Sequence, residues 1–233
     1  MPLIVLWDID HTLIENAGVS KEIYASAFEI AAGRPAVHRA RTEGRTDRLI
    51  LAGMFLDHEL EPPAWSLLES ALEEAGVDCE AELATRGWAL PGVKEALTAV
   101  AADPGMVSSV LTGNIRANAR VKLAPFGLDE LVDLECGAYG ADAVNRAALV
   151  DVARERIQAR YGLGLKTPVV LVGDTPRDVE AALSSGAHVV AVASGEHSES
   201  DLREAGAKLV LPDLRDVPEL MQHLRGLDIS HPS

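Results

Sequence analysis

Three short polar stretches hold the residues that could do chemistry. In "WDIDHTL", Asp8 and Asp10 stand one residue apart behind the apolar run Leu3–Trp7. Residues i and i+2 of a strand point the same way, so both carboxylates can face one site. Thr112-Gly113-Asn114 follows the apolar run Val107–Leu111, and Gly173-Asp174-Thr175-Pro176-Arg177-Asp178 follows Val169–Val172. Each of these two opens a helix, whose free N–H groups bind anions. In open α/β sheets, ligands bind beyond the carboxyl ends of the strands. One site would then collect three or four carboxylates, a hydroxyl and backbone donors. Carboxylates that close cannot all ionise without a cation. Hard oxygen ligands favour Mg²⁺, which also attracts a phosphate, and one aspartate is left able to act as a nucleophile.

The elements that must position these residues alternate along the chain. Apolar runs predict strands at Leu3–Trp7, Val107–Leu111, Val169–Val172, Val189–Val192 and Leu209–Leu211, with a weaker one at Leu131–Leu134. Between them Val93, Leu97 and Val100 share one helical face, and Leu149, Val152, Ala153 and Ile157 another. Gly186 closes a helix that begins near Pro176. Such alternation predicts an α/β fold with a doubly wound parallel sheet. From Glu15 to Trp88 the pattern is helical only: Ile23, Ala27, Phe28 and Ala31 repeat before Gly33, and Trp65, Leu68, Leu72 and Ala75 before Gly76. Residues 16–88 therefore read as an all-helical insert. It divides an α/β core of residues 1–15 and 89–226, with hinges near Asn16–Gly18 and Gly87–Gly92 and a loose tail at 227–233.

Bulk composition narrows the partners. At 233 residues and 48% hydrophobic the chain can bury a sizeable core. A formal charge of −15 argues against a nucleic-acid or anionic-membrane surface, while leaving room for a small phosphorylated ligand met by a local cation. Cys79 and Cys136 are the only cysteines, far apart, which suits a reducing cytoplasm and gives no disulfide framework. No basic leader or long apolar span is present in the sequence given. Oligomeric state is left open.

"DIDHTL", "LTGN" and "GDTPRD", in that order and each behind an apolar strand, resemble the haloacid dehalogenase superfamily, and its phosphoglycolate-phosphatase-like members in particular. The resemblance implies a Rossmann-like core with residues 16–88 as a cap. It implies Mg²⁺-dependent hydrolysis of a small phosphomonoester, phosphoglycolate or a sugar phosphate among the candidates, through an aspartyl-phosphate. Asp8 would be the nucleophile and Asp10 the general acid–base. Thr112, Gly113 and Asn114 would hold the phosphoryl oxygens. Asp174 would bind Mg²⁺ with Asp8 and the Asp10 carbonyl, and Asp178 would ligate through water or orient Asp174. A basic residue must offset the charge. Lys122, about two helical turns beyond Thr112, and Arg146, at the start of the next helix, are the candidates, and topology favours Arg146. His11 stands where the family carries glycine, and reads as a space filler more than a substrate contact.

Each residue also has a plainer reading. Alone, Asp8 and Asp10 would be a solvated strand end, Thr112 a helix cap, and Asp178 a cap or a partner of Arg177. Lys122 and Arg146 could be surface charges. In "EGRTDR", Thr46 reads as a helix cap and Arg45 as a surface charge or a contact to an anionic substrate. Asp10 argues against dehalogenation proper. Lys21, the only lysine between residues 16 and 88, stands too near the hinge to serve phosphonate hydrolysis. A sugar phosphomutase uses the same residues. A receiver domain would lack the insert and order its motifs differently. A catalytically silent binding module would not need every acidic residue.

Overall fold

The computed structural model describes residues 2–164 and 166–227, and all but the first residue of the predicted tail at 227–233 lie outside them. In chain order the elements are β1 (Leu3–Trp7), β2 (Ile14–Glu15), α1 (Val19–Ala32), α2 (Asp47–Asp57), α3 (Trp65–Asp78), α4 (Glu80–Arg86) and β3 (Trp88–Ala89). They continue with α5 (Val93–Ala101), β4 (Met106–Val110), α6 (Arg116–Leu123), α7 (Arg146–Tyr161), β5 (Val169–Gly173) and α8 (Pro176–Ser184). The last are β6 (His188–Val192), α9 (Glu199–Glu204), β7 (Leu209–Leu211) and α10 (Val217–Gly226).

Five parallel strands form one sheet in the order β4-β1-β5-β6-β7, the α/β arrangement that the alternation predicts. The strands run almost wholly apolar because helices cover both faces. On β1, Leu3, Val5 and Trp7 pack into the cluster that holds Val93, Leu97 and Leu220. Ile4 and Leu6 pack on the other side, with Leu149, Ala153, Val179 and Leu202. The strand order matters for function. β1 lies between β4 and β5, with Trp7 level with Val110 on one side and Val172 on the other. The three polar stretches therefore leave the sheet side by side at its carboxyl edge, where connections diverge and a crevice opens.

Two departures from the sequence reading follow from local chemistry. Leu131–Leu134 is not a strand. Asp133 turns its carboxylate back to accept from the Glu135 N–H at 2.9 Å, an Asx-type turn that ends extended structure, and the pairing beside β4 is a single bridge from Leu111 to Ala138. The helical stretch also begins and ends in strand: Ile14 pairs with Ala89 and Glu15 with Trp88, antiparallel. This ribbon ties together the two connections of the four-helix insert α1–α4. Inside the insert, Ile23, Ala27 and Phe28 of α1 face Leu68, Leu72 and Ala75 of α3 in the same apolar cluster as one sheet face. Among the described residues no helix is long and apolar enough to cross a membrane.

Candidate active site

Asp8 is the first residue beyond β1, fixed by its N–H donating to the Val172 carbonyl at 2.9 Å. Asp174 follows β5 directly, and Asp178 lies on the first turn of α8. One carboxylate oxygen from each of Asp8, Asp174 and Asp178 falls within 4.8 Å of the others, and all three residues are buried. The Arg146 guanidinium sits between them, Nη2 at 2.9 Å from Asp8 Oδ1 and 2.6 Å from Asp178 Oδ1. Asp178 spends its other oxygen on a capping box with Thr175, whose N–H donates at 3.0 Å and whose hydroxyl donates at 2.7 Å. It pairs with Arg146, not with its neighbour Arg177. Thr12 donates to Asp174 Oδ1 at 2.9 Å.

Electrostatically this cluster is short of positive charge. Burial pushes the Asp8 carboxyl up to about 6, with Arg146 pulling it down and Asp178 and Asp10 pushing it up. Burial, then Asp178 and Asp8, push Asp174 well above the carboxylate range. Burial opposes the charge on Arg146, but Asp178 and Asp8 outweigh it and hold the guanidinium charged.

Asp10 stands in the opposite situation. Lys122, 2% exposed, reaches both its carboxylate oxygens at 2.7 and 2.8 Å. Asn114 Nδ2 donates to Asp10 Oδ2 at 2.8 Å, and Asn16 Nδ2 and Ser20 Oγ donate to Oδ1 at 2.8 and 3.1 Å. Burial works against the Asp10 charge, yet Lys122 and Asn114 prevail and hold its carboxyl well below the usual range.

The two basic candidates are thus both in the site, on different carboxylates. Sequence topology favoured Arg146 over Lys122, because two helical turns carry the Lys122 Cα away from Thr112. The Lys122 side chain closes that gap by running back toward the N-terminus of α6, the usual lean of long helical side chains, so that Nζ also donates to Asn114 Oδ1 at 2.7 Å. Thr112 is not a cap: its hydroxyl accepts from the Asn114 side chain at 2.8 Å and the Asn114 N–H at 3.3 Å. Thr46 does precede α2, but its side chain makes no cap and instead donates to the Val144 carbonyl at 3.4 Å. Arg45 lines the same cavity as Asp8, Thr112 and Asp174. His11 has φ 59°, the left-handed region where glycine is at ease, and its Nδ1 lies 3.0 Å from Glu15 Oε2.

Several site residues escaped the sequence reading. Thr12 carried a signal, being part of "DIDHT". Asn16 and Ser20 carried none, because polar residues near a hinge are ordinary. Asp47 read as one charge in a charged turn.

The cavity above Asp8 holds about 70 Å³ and is walled by core and insert together, with Ser20, Tyr24, Gly44 and Arg45 on the insert side. At about 10–15 Å³ for one water-sized sphere, that is room for a phosphoryl group and little else.

The acidic cluster also fits a divalent cation. Asp178 Oδ1 is buried with no well-directed hydrogen bond, as are Nε and Nη2 of Arg146. At Gly195 a Cβ would stand 2.0 Å from Asp174 Oδ2, so only glycine leaves that carboxylate its place. Four carboxylates (Asp8, Asp10, Asp174, Asp178) against Lys122 and Arg146 leave two negative charges to be met. An all-oxygen donor set of this charge is what Mg²⁺ takes.

A family model of haloacid dehalogenase-like hydrolases matches residues 5–183, and the chain belongs to that family. It is also 28% identical over 234 aligned residues to a tyrosine-protein kinase, PtkA, of Mycobacterium tuberculosis, covering 96% of this chain and 72% of that protein. Among solved structures, a hydrolase from Pseudomonas syringae superposes with a TM-score of 0.69 at 20% identity, over 96% of this chain and 99% of the other. A predicted phosphoglycolate phosphatase from Haemophilus somnus does so with a TM-score of 0.66 at 21% identity, over 95% and 98%. At these identities the likeness is one of fold.

Proposed function

We propose that this chain is a Mg²⁺-dependent phosphatase that hydrolyses a small phosphomonoester through an aspartyl-phosphate on Asp8. The observation that carries the reading is the cluster of Asp8, Asp174 and Asp178 with Arg146 beside a small cavity between core and insert. Asp8, Asp174, the Asp10 carbonyl and Asp178 would hold the metal, which when bound neutralises the carboxylates and the charge of the transferring phosphoryl group. Asp8 Oδ attacks phosphorus in line, and the bond from phosphorus to the leaving oxygen breaks as Asp10, ionised at rest beside Lys122, relays to that oxygen the proton that the phosphomonoester monoanion carries in. Asp10, ionised again, takes a proton from the water that attacks the aspartyl-phosphate, releasing phosphate and Asp8. The Thr112 hydroxyl and the N–H groups at Gly113 and Asn114 hold the phosphoryl oxygens. Arg146 keeps Asp8 ionised, and Lys122 aims Asp10.

Helices α1–α4 act as a cap in this reading. In this reading the cap lifts for the substrate to enter, and Arg45, which lines the cavity, meets the part of the substrate beyond phosphorus. The net charge of −15 favours a small phosphorylated metabolite over nucleic acid or an anionic membrane as partner, and the free Cys79 and Cys136 suit a reducing cytoplasm. A sugar phosphomutase would show itself by requiring a bisphosphate activator.

The test is p-nitrophenyl phosphate turnover with Mg²⁺, with chelator, and in Asp8→Asn. Turnover that survives chelation or the Asp8 substitution overturns the reading. The likeness to PtkA supports a second one, in which the phosphoryl group passes to a tyrosine hydroxyl rather than to water. Labelled ATP separates the two. An acyl phosphate on Asp8 is cleaved by hydroxylamine, whereas phosphotyrosine survives it.

A further inference from the structure

Asp47 sits in the charged turn "EGRTDR", yet it is 1% exposed. It opens α2, and its carboxylate is shared between insert and core. The Tyr24 hydroxyl, from α1, donates to Oδ1 at 2.6 Å, and the Ile115 N–H, from the core, donates to Oδ2 at 2.7 Å. The Asp47 N–H in turn donates to the Gly113 carbonyl at 2.8 Å. One insert residue thus grips both sides of the turn that carries Thr112 and Asn114.

The backbones meet closely there. A Cβ on Gly113 would stand 2.1 Å from the Arg45 carbonyl oxygen, and one on Gly140 would stand 1.8 Å from the Gly113 oxygen. Ile115 precedes α6 and has no side-chain oxygen with which to cap it. Asp47 brings a carboxylate from the insert to that helix start, where N–H groups lack partners and negative charge is favoured. Within the turn, Asn114 Nδ2 bridges Thr112 Oγ1 and Asp10 Oδ2, so the shape of the turn is also the aim of Asp10.

We infer that Asp47 is a positioning residue that makes the phosphoryl-binding turn Thr112–Asn114 depend on the docking of the helical insert. While the insert is down, Asp47 holds the turn in its anion-binding shape. When the insert lifts, the Ile115 N–H and the Gly113 carbonyl lose their partners together and the turn relaxes. The functional consequence rests on the phosphatase reading, whereas the clasp itself does not.

The substitution that separates geometry from charge is Asp47→Asn. Its Oδ1 can accept from Ile115 while its Nδ2 donates to the Tyr24 oxygen, because a phenol hydroxyl both donates and accepts. Burial already pushes the Asp47 carboxyl up to about 6 against the pull of Tyr24, Lys122 and Ile115, so giving up the charge costs less there than giving up the hydrogen bonds.

The experiment uses the full chain as wild type, Asp47→Ala, Asp47→Asn and Tyr24→Phe. It reads kcat and KM for p-nitrophenyl phosphate, inhibition by orthovanadate, and amide hydrogen exchange over residues 44–50 and 112–118. Asp47→Ala is expected to weaken vanadate inhibition and lower kcat/KM by roughly 10- to 100-fold, the cost of charge-assisted hydrogen bonds. Exchange should rise in both segments together. Asp47→Asn should restore most of both, and Tyr24→Phe should fall between. Wild-type vanadate inhibition and wild-type exchange at 112–118 in a folded Asp47→Ala overturn the proposal, as does an Asp47→Asn as damaged as the alanine variant. If Asp47→Ala does not fold, Tyr24→Phe decides: unchanged exchange at 112–118 counts against the clasp. A wild type without phosphatase activity would remove the proposed function, and the exchange measurements would still judge the clasp.

Discussion

Asp8 and Asp10 have a single residue between them, and their surroundings are opposites. Around Asp8, three buried carboxylates share Arg146, and burial pushes Asp8 up to about 6. Around Asp10, one carboxylate holds Lys122 to itself and accepts from Asn114, Asn16 and Ser20. The first half is charged beyond what its protein partners neutralise, and the second is fully neutralised. In the proposed mechanism a divalent cation would sit with the first. Under the proposed function the asymmetry would divide the labour: an oxygen nucleophile needs a metal and room to react, while an acid–base group needs a fixed aim.

The largest expected effect falls on the first half. Asp8→Asn should reduce kcat by at least about 10⁴-fold, as loss of a nucleophile does, with an unchanged circular dichroism spectrum. Activity within tenfold of wild type would erase the distinction between the halves.

The two cations come next. Arg146→Ala should cost orders of magnitude in kcat and weaken vanadate inhibition, because it leaves Asp8 and Asp178 without their shared cation. Lys122→Ala, a mild change if Lys122 were a surface charge, becomes severe once it is buried against Asp10. Breaking a buried pair costs about 3–5 kcal/mol, which thermal unfolding would record. A Lys122→Ala protein with wild-type melting would deny the second half its neutralised character.

Asp174→Asn sharpens the contrast in the other direction. It should raise the Mg²⁺ concentration for half-maximal activity by more than about tenfold, on the scale of losses at metal sites. In metal-free buffer it should melt higher than wild type, because it removes one of three mutually repelling buried carboxylates. Asp10→Asn should melt lower. Shifts of the same sign in both variants would contradict the electrostatic assignment.

The smallest effect is expected from Asn16→Ala. It deletes one of several donors to Asp10, and kcat should fall less than about tenfold, with KM for small aryl phosphates little changed.

Much of this was legible in the residue pattern. Five apolar runs marked the five strands of the sheet, since a parallel strand covered on both faces is mostly apolar. Asp8, Thr112, Asp174 and Asp178 stood out because each polar stretch interrupts such a run at its carboxyl end. Leu131–Leu134 misled because an apolar pattern of four residues cannot show that Asp133 will turn back on Glu135.

The sequence by itself determined that this is an alternating α/β chain with a helical insert and acidic residues at strand ends, because those features are periodic or local. Only the tertiary structure decided which cation serves which carboxylate. Lys122 is 112 residues from Asp10, and Arg146 is 138 from Asp8 and 32 from Asp178, and side-chain reach, not spacing, sets those contacts. It also decided that Asp47, one residue of the charged stretch "EGRTDR", lies at the seam between insert and core. Burial and partnership there are properties of two surfaces brought together, and neither surface is written in the residues around position 47 alone.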